Sequence, residues 1–364
     1  MPETADISGV TLVYVAPRTG TSGVSDYADD LLAIARERML RVVEVRHGGS
    51  GQDGVLDVLR GRRSIRRALS SATGPVVLHT EQSGGVLLPF WGLLGMKRAT
   101  VRSSTVHDAP LGVWLPFRTR LASRSRLVVH ALHYPIMPLL ERFERRALRR
   151  VDLFALTASG AVETGRILGH DTVHRGFLPV PERPELPAPV DRPRAVGLFG
   201  YVYRGKGFDS LVHLRSRLDP GIAIRVAGRG TDALPPVDGV DLLGGVEGAD
   251  EDAFFASIQI MIVPYGKRSS YGPETHVASS AIARALAYQT PVVALKYRGI
   301  DDEALIVDGD IDDLADAVSA LLGDESALRE QSTHARELRA RLTTENAFER
   351  YAEAWHAAIS GAAA

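Results

Sequence analysis

Three short stretches hold residues able to grip an anion. Gly200-Tyr-Val-Tyr-Arg204-Gly-Lys206-Gly207 places a guanidinium and an ammonium two residues apart between glycines. That pairing suits a diphosphate, Arg offering a planar fork and Lys a point charge; the plainer reading is a solvated basic loop. Gly20-Thr21-Ser22-Gly23 lies between an apolar run and an amphipathic one. Glycines there let the backbone approach a ligand and leave helix amides open to an anion. The plainer reading is a turn with Ser25 or Asp26 as helix cap. The third stretch, PETHVASSAIARALAYQTPVVAL (273–295), sets His276, Ser279 and Ser280 at the mouth of a helix, with Arg284 about one to two turns in. A helix mouth binds an anion without a metal, and Arg284 adds charge if it faces the ligand. Otherwise Ser279 merely caps the helix and Arg284 is a surface residue.

The elements that must position these residues alternate. VTLVYVAP (10–17) is an apolar β run, and YADDLLAIARERM (27–39) has a helical period. PVVLHT (75–80), ATVRSSTVH (99–107), RLVVHAL (126–132) and VDLFALTAS (151–159) read as further strands of a parallel, helix-flanked sheet. VPERPELPAPVDRPR (180–194), with five prolines and no periodicity, marks a linker. Strand–helix alternation then restarts at AVGLFGY and runs through IAIRVAG, QIMIVPY, PVVAL and DIDDLADAVSALL. The expectation is an α/β protein of two doubly wound, Rossmann-like domains facing a cleft. The first covers 1–183 and the second 184–343, with a last helix inside 344–364. Ligands of such pairs are expected in the cleft, at the carboxyl ends of the strands.

Composition removes several classes. With no cysteine among 364 residues there is no disulfide frame, thiolate metal site or Cys nucleophile. No HExxH spacing occurs, so no metal site is expected. Aromatic residues are few, and no RNA-binding motif is present, which argues against nucleic acid. The opening MPETADISGV lacks a basic segment followed by a long apolar run, and no apolar stretch is long enough to span a bilayer. A cytoplasmic protein is the expectation. Residues 97–150 carry 12 basic side chains against 3 acidic ones, mixed with Trp, Phe and Leu. With WGLLGMKR (91–98) adding an apolar knob with a cationic end, 91–150 suits either a peripheral site on anionic lipid at the inner face of a membrane or ordinary solvated helices over a core.

The residues resemble the family 4 (group 1) glycosyltransferases of the GT-B fold along essentially the whole chain. The resemblance is carried by GTSGVSDYADDLL, TVHDAP (105–110), FGYVYRGKGFDSL (199–211), VAGRG (226–230), FFASIQIMIVPY (254–265), ALAYQTPVVAL (285–295) and DGDIDDLADAVSALL (308–322). It implies an acceptor-binding first half, a second half holding a nucleotide-sugar, and a final helix that crosses back to the first domain. Arg204 and Lys206 correspond to the pair on the donor diphosphate, although the family's arginine directly follows the first glycine, where Tyr201 stands here. His107 corresponds to the histidine that contacts the donor sugar, the Gly20–Gly23 loop to the one closing over the phosphates, and Gly200, Gly228 and Val246 to donor and base contacts.

The family's two glutamates at the helix mouth fall here on His276 and Arg284, and its glycine before Thr-Pro on Gln289. Glu274 lies two residues before the first acid position and could replace it, whereas Arg284 cannot accept hydrogen bonds from a ribose diol. The donor is then held through added phosphate contacts, or is unusual, or activity is lost. The expected activity is transfer of a hexose from a GDP- or UDP-linked donor to a cell-envelope or lipid-linked glycan. Retention and independence of metal and other cofactors go with the resemblance. An inverting course would use Asp108 or Glu81 as base. The alternative from a different class is a non-catalytic sugar- or nucleotide-binding homologue, or a partner subunit.

Overall fold

The computed structural model describes residues 5–108, 118–125, 127–128, 131, 134–170, 173–266, 278–296 and 299–363. The chain divides into two compact units. Of the described residues, 5–177 and 344–363 form most of the first, and 178–266 with 279–343 the second.

The first unit is built on six parallel strands in the order β2-β1-β3-β4-β5-β6. These are β1 (Thr11–Pro17), β2 (Arg41–His47), β3 (Val76–Gln82), β4 (Val101–Val106), β5 (Asp152–Ala155) and β6 (His174–Arg175). Every residue of β1 and β3 is buried, as expected where helices cover both faces of a parallel sheet. The helices are α1 (Gly23–Arg38), α2 (Val55–Ser71), α3 (Leu88–Leu93), α4 (Met137–Leu148), α5 (Ala158–Leu168) and, from the far end of the chain, α11 (Thr344–Ala363). α11 packs on α1 and β4. It is pinned by Trp355, Tyr351 and Phe348, all buried, with Trp355 Nε1 donating to Ser103 Oγ at 2.9 Å.

The second unit repeats the plan with six parallel strands in the order β12-β11-β10-β7-β8-β9. They are β7 (Ala195–Phe199), β8 (Ala223–Ala227), β9 (Val240–Leu242), β10 (Ile260–Val263), β11 (Val292–Leu295) and β12 (Leu305–Val307). Its helices are α6 (Leu211–Arg217), α7 (Ala249–Ala256), α8 (Ser280–Ala287), α9 (Ile311–Gly323) and α10 (Glu325–Arg341). The proline-rich segment is closed by Arg192, whose buried guanidinium donates to the carbonyls of Pro187, Phe255 and Tyr288 and to Thr290 Oγ1. The two-sheet Rossmann-like architecture expected from the alternation is therefore present.

Two sequence expectations need correction. In RLVVHAL (126–132), expected as a strand, the described residues Leu127, Val128 and Ala131 are helical. Leu127 and Val128 are 81% and 47% exposed, so neither side chain fills a sheet interior. β2 is a strand the sequence reading passes over, because RVVEVRH sits at the sheet edge with only two of its seven residues buried and so lacks a continuous apolar signature.

Candidate functional site

In the second unit the order of strands reverses between β7 and β10. Loops leaving the carboxyl ends at such a switch point diverge and open a binding crevice. Here those loops are 200–207 and the segment after β10, and glycine brings them together. A Cβ on Gly228 would lie 2.0 Å from the Gly200 carbonyl oxygen, and one on Gly207 2.2 Å from that of Pro264. All three glycines have positive φ, between 79° and 133°, where an L side chain is strained. Gly266 N donates to Gly205 O at 3.1 Å and ties the loops.

Lys206 is the charge in this crevice. Its Nζ donates to Tyr265 Oη at 2.6 Å, and that hydroxyl lies 2.8 Å from Ser279 Oγ. Lys206 Nζ also lies 5.4 Å from the centroid of the Tyr203 ring. Burial pushes the Tyr265 hydroxyl's pKa up, so it stays protonated and accepts from Lys206 while sharing a hydrogen bond with Ser279. Ser279 is the N-cap of α8, accepting from Ile282 N, and Ser280 begins the helix in solvent. The structure thus joins Lys206 to the α8 mouth through Tyr265. The sequence reading does not single Tyr265 out; its only signal is an aromatic closing the apolar run QIMIVPY. Arg204 is exposed on the same loop, and Val246 is half-buried beyond β9. His276 and Glu274 lie outside the described residues.

Arg284 does not stand as a ligand-facing cation. Its Nη1 is 3.1 Å and 3.3 Å from the two oxygens of Glu251 on α7. Arg183 Nε and Tyr288 Oη bind the same carboxylate, each at 3.2 Å. Glu251 is buried, and a carboxylate held there needs cationic donors. Arg284 fills that need and ties α8 to α7.

In the first unit His107 follows β4 and Glu81 lies near the end of β3. His107 Nε2 is 2.6 Å from Glu81 Oε2, and its ring meets Tyr27 edge-on at 5.2 Å. Glu81 is fully buried, and Tyr14 Oη and His79 Nε2 bind its other oxygen. Burial alone would raise this carboxyl, but hydrogen bonds from His107 and His79 outweigh it and bring it down to about 2. The network continues from Glu81 to the last helix of the unit. Trp355 Nε1 donates to Ser103 Oγ, which lies 2.8 Å from His79 Nδ1. His79 Nε2 faces both Glu81 Oε1 and Thr105 Oγ1, at 3.2 and 3.0 Å. His107 Nε2 donates to the Glu81 carboxylate, which fixes the orientation of the ring. Asp108 accepts from Gly84 N at 2.7 Å.

The Gly20–Gly23 loop is partly spent on itself. The amides of Thr21 and Ser22 both donate to Ser25 Oγ, at 3.2 and 3.0 Å, and Ser22 caps α1 by accepting from Ser25 N. Two amides expected to be open to an anion are therefore occupied within the turn, because a serine stands at the third helical position.

Residues 193–324 match the family profile described as Glycosyl transferases group 1. No curated relative matches the sequence. Among solved structures, the chain is similar to Anabaena HepE in complex with UDP-glucose, with 12% identity, a TM-score of 0.65, and coverage of 94% of this chain and 98% of that one. It is also similar to sucrose-phosphate synthase from Thermosynechococcus elongatus, with 15% identity, a TM-score of 0.64, and coverage of 97% and 100%. A third similar structure is WaaG, a glycosyltransferase involved in lipopolysaccharide biosynthesis, with 12% identity, a TM-score of 0.56, and coverage of 95% and 99%. The fold expected from the motifs is borne out, since these structures share it over nearly the whole chain, and residues 193–324 match the group 1 glycosyltransferase profile.

Proposed function

We propose that the protein transfers a hexose from a nucleotide-sugar, UDP-linked as in the HepE structure, to a cell-envelope or lipid-linked glycan. The observation that carries this reading is the Lys206–Tyr265–Ser279 chain at the switch point of the second sheet. Lys206 and the first amides of α8 meet the diphosphate and stabilise it as it leaves, so neutralisation is assigned to the protein without a metal. The glycine-lined ends of β7 and β8, with Val246, receive the nucleoside. His107, oriented by Glu81, hydrogen-bonds a sugar hydroxyl. An acceptor hydroxyl attacking from the leaving-group side gives retention and needs no protein nucleophile.

Titration calorimetry with UDP tests the central assignment. Lys206→Ala is expected to weaken binding roughly tenfold to a hundredfold, the worth of one charge-assisted hydrogen bond. Equal affinity in wild type and variant, or no UDP binding by the wild type, would remove it. Turnover that survives a chelator tests metal independence.

For the acceptor side, the first unit offers an apolar groove of about 450 Å³ between α2 and α3, lined by Val55, Leu59, Trp91 and Leu94. Leu139 and Phe143 of α4 are 65% and 40% exposed, beside Arg142, Arg145 and Arg146. Such a face suits peripheral contact with anionic lipid at the inner surface of a membrane. No helix among the described residues is long and apolar enough to cross one. Flotation with anionic vesicles is expected at low ionic strength and is lost in high salt; equal flotation with zwitterionic vesicles would contradict it.

A further inference from the structure

The apolar groove between α2 and α3 is a built cleft, with walls held by close packing. Gly61 and Gly92 let the two helices approach: a Cβ on Gly61 would lie 2.6 Å from Leu88 Cδ2, and one on Gly92 2.9 Å from Ile65 Cδ1. Trp91, which forms part of the lining, is braced edge-on by Phe90, with ring centroids 5.4 Å apart, and at 6.0 Å by Phe143. Walls set before a ligand arrives spare the ordering cost of binding. Inside the groove Val58 and Leu87 are buried, whereas Val55 and Leu59 stand 63% and 46% exposed. A concave apolar volume of about 450 Å³ receives a hydrocarbon chain, where a convex apolar face would instead press into a bilayer.

The chemistry changes along α2. Val55, Leu59, Arg62 and Arg66 succeed one another at three- and four-residue steps, so they share one edge of the helix. Val55 and Arg62 are about 10 Å apart by the helical rise. The aliphatic end of the groove therefore passes into two guanidiniums. Arg62 is half-buried in the lining, its Nη2 donating to Leu94 O at 2.9 Å. Burial and the like charge of Arg66, which is exposed, both push the Arg62 guanidinium's pKa down. Among the described residues no carboxylate pairs with either arginine, and Asp57, on the same helix, is taken by Arg60 and Arg120. Like charges one turn apart are unfavourable without a counter-ion. An anion at this end relieves the repulsion, while a chain attached to it covers Val55 and Leu59.

We propose that the groove binds one hydrocarbon chain of a lipid phosphate, the phosphate at Arg62 and Arg66 and the chain along Val55, Leu59 and Trp91. As the lipid class of the acceptor, this rests on the transferase reading above; the binding itself rests on the groove. Unlike adhesion to a charged bilayer, it needs no membrane, so a single dispersed molecule suffices.

The probe is decyl phosphate, kept below the concentration at which it forms micelles and titrated calorimetrically into the full chain. Inorganic phosphate and decyl glucoside are the controls, and UDP is titrated into the same samples. One decyl phosphate per chain is expected, bound at least tenfold more tightly than either control. Leu59→Asp puts a carboxylate in the path of the chain and should weaken decyl phosphate at least tenfold. Arg66→Ala should bring its affinity toward that of decyl glucoside. Both positions are exposed, and UDP affinity is expected to stay at the wild-type value in both variants. No binding of decyl phosphate by the wild type, uptake of many molecules per chain, equal binding of a control, or unaltered binding in either variant overturns the groove. Absence of UDP binding by the wild type alongside intact decyl phosphate binding overturns the transferase reading alone.

Discussion

At the scale of single residues the first unit turns on Glu81. Its carboxylate receives hydrogen bonds from Tyr14, His79 and His107 and offers none. Glu81→Gln would set an amide donor against that ring of donors, one of which must go unpaired. A loss of roughly 2–4 kcal/mol is expected in denaturant unfolding, the range for breaking a buried charged pair. Because the folded carboxyl sits near 2, below its unfolded value, its contribution is present above about pH 4.5 and fades as pH falls toward 2. The variant should therefore have a shallower acid limb over that interval. An unaltered limb would mean that the network does not hold Glu81 ionised. This centre was only partly legible beforehand. His107 stands out in TVHDAP and Glu81 is named as a possible base, whereas His79 sits inside PVVLHT, which reads only as an apolar strand. Nothing local reveals that Trp355, 252 positions from Ser103 in the chain, completes the network. Lys206 was likewise legible from its loop, but Tyr265, 59 positions further on, was not.

At the scale of elements, the exit of α8 shows how a substitution read in the sequence is accommodated. Gln289 occupies the left-handed region, with φ of 54°, and is the one non-glycine residue among those described with positive φ. Its amide bonds to Leu286 O, and that of Thr290 to Ala285 O, the paired closure of a Schellman cap. That geometry asks for glycine at this position, which explains why the resemblance places one there. Gln289→Gly should remove left-handed strain of about 1–2 kcal/mol, partly offset by the added freedom of glycine when unfolded. A net rise in thermal stability of up to roughly 1 kcal/mol is expected. A lowered melting temperature would show that the glutamine side chain makes a compensating contact. Elements whose patterns are local, such as β1 with its glycine turn and the proline-rich segment, were readable from composition alone. The stretch 126–132 misled because an apolar run does not say whether its side chains will be covered.

For the molecule as a whole, the pH dependence of stability should have two limbs of opposite sign. His47 is held near 4, below its unfolded value of about 6.5, so the unfolded chain takes up the proton first and stability falls as pH drops through that interval. Glu81 continues the decline below it. Glu144 works the other way. On α4 it is buried between Leu140 and Leu148, in an apolar stripe at four-residue spacing, and its Oε2 has no partner. Burial, with Glu141 adding repulsion, pushes its carboxyl up to about 8. The folded chain then retains a proton that the unfolded chain releases near pH 4.5, so stability is present below that value and is lost as pH rises toward 8. Glu144→Gln keeps the shape and stays neutral throughout, as protonated Glu144 does. It should stabilise the protein by roughly 1–3 kcal/mol at pH 8 and hardly at all at pH 5. Melting the two proteins at both pH values checks this. A gain of equal size at pH 5 would show that the benefit comes from packing rather than from the retained proton.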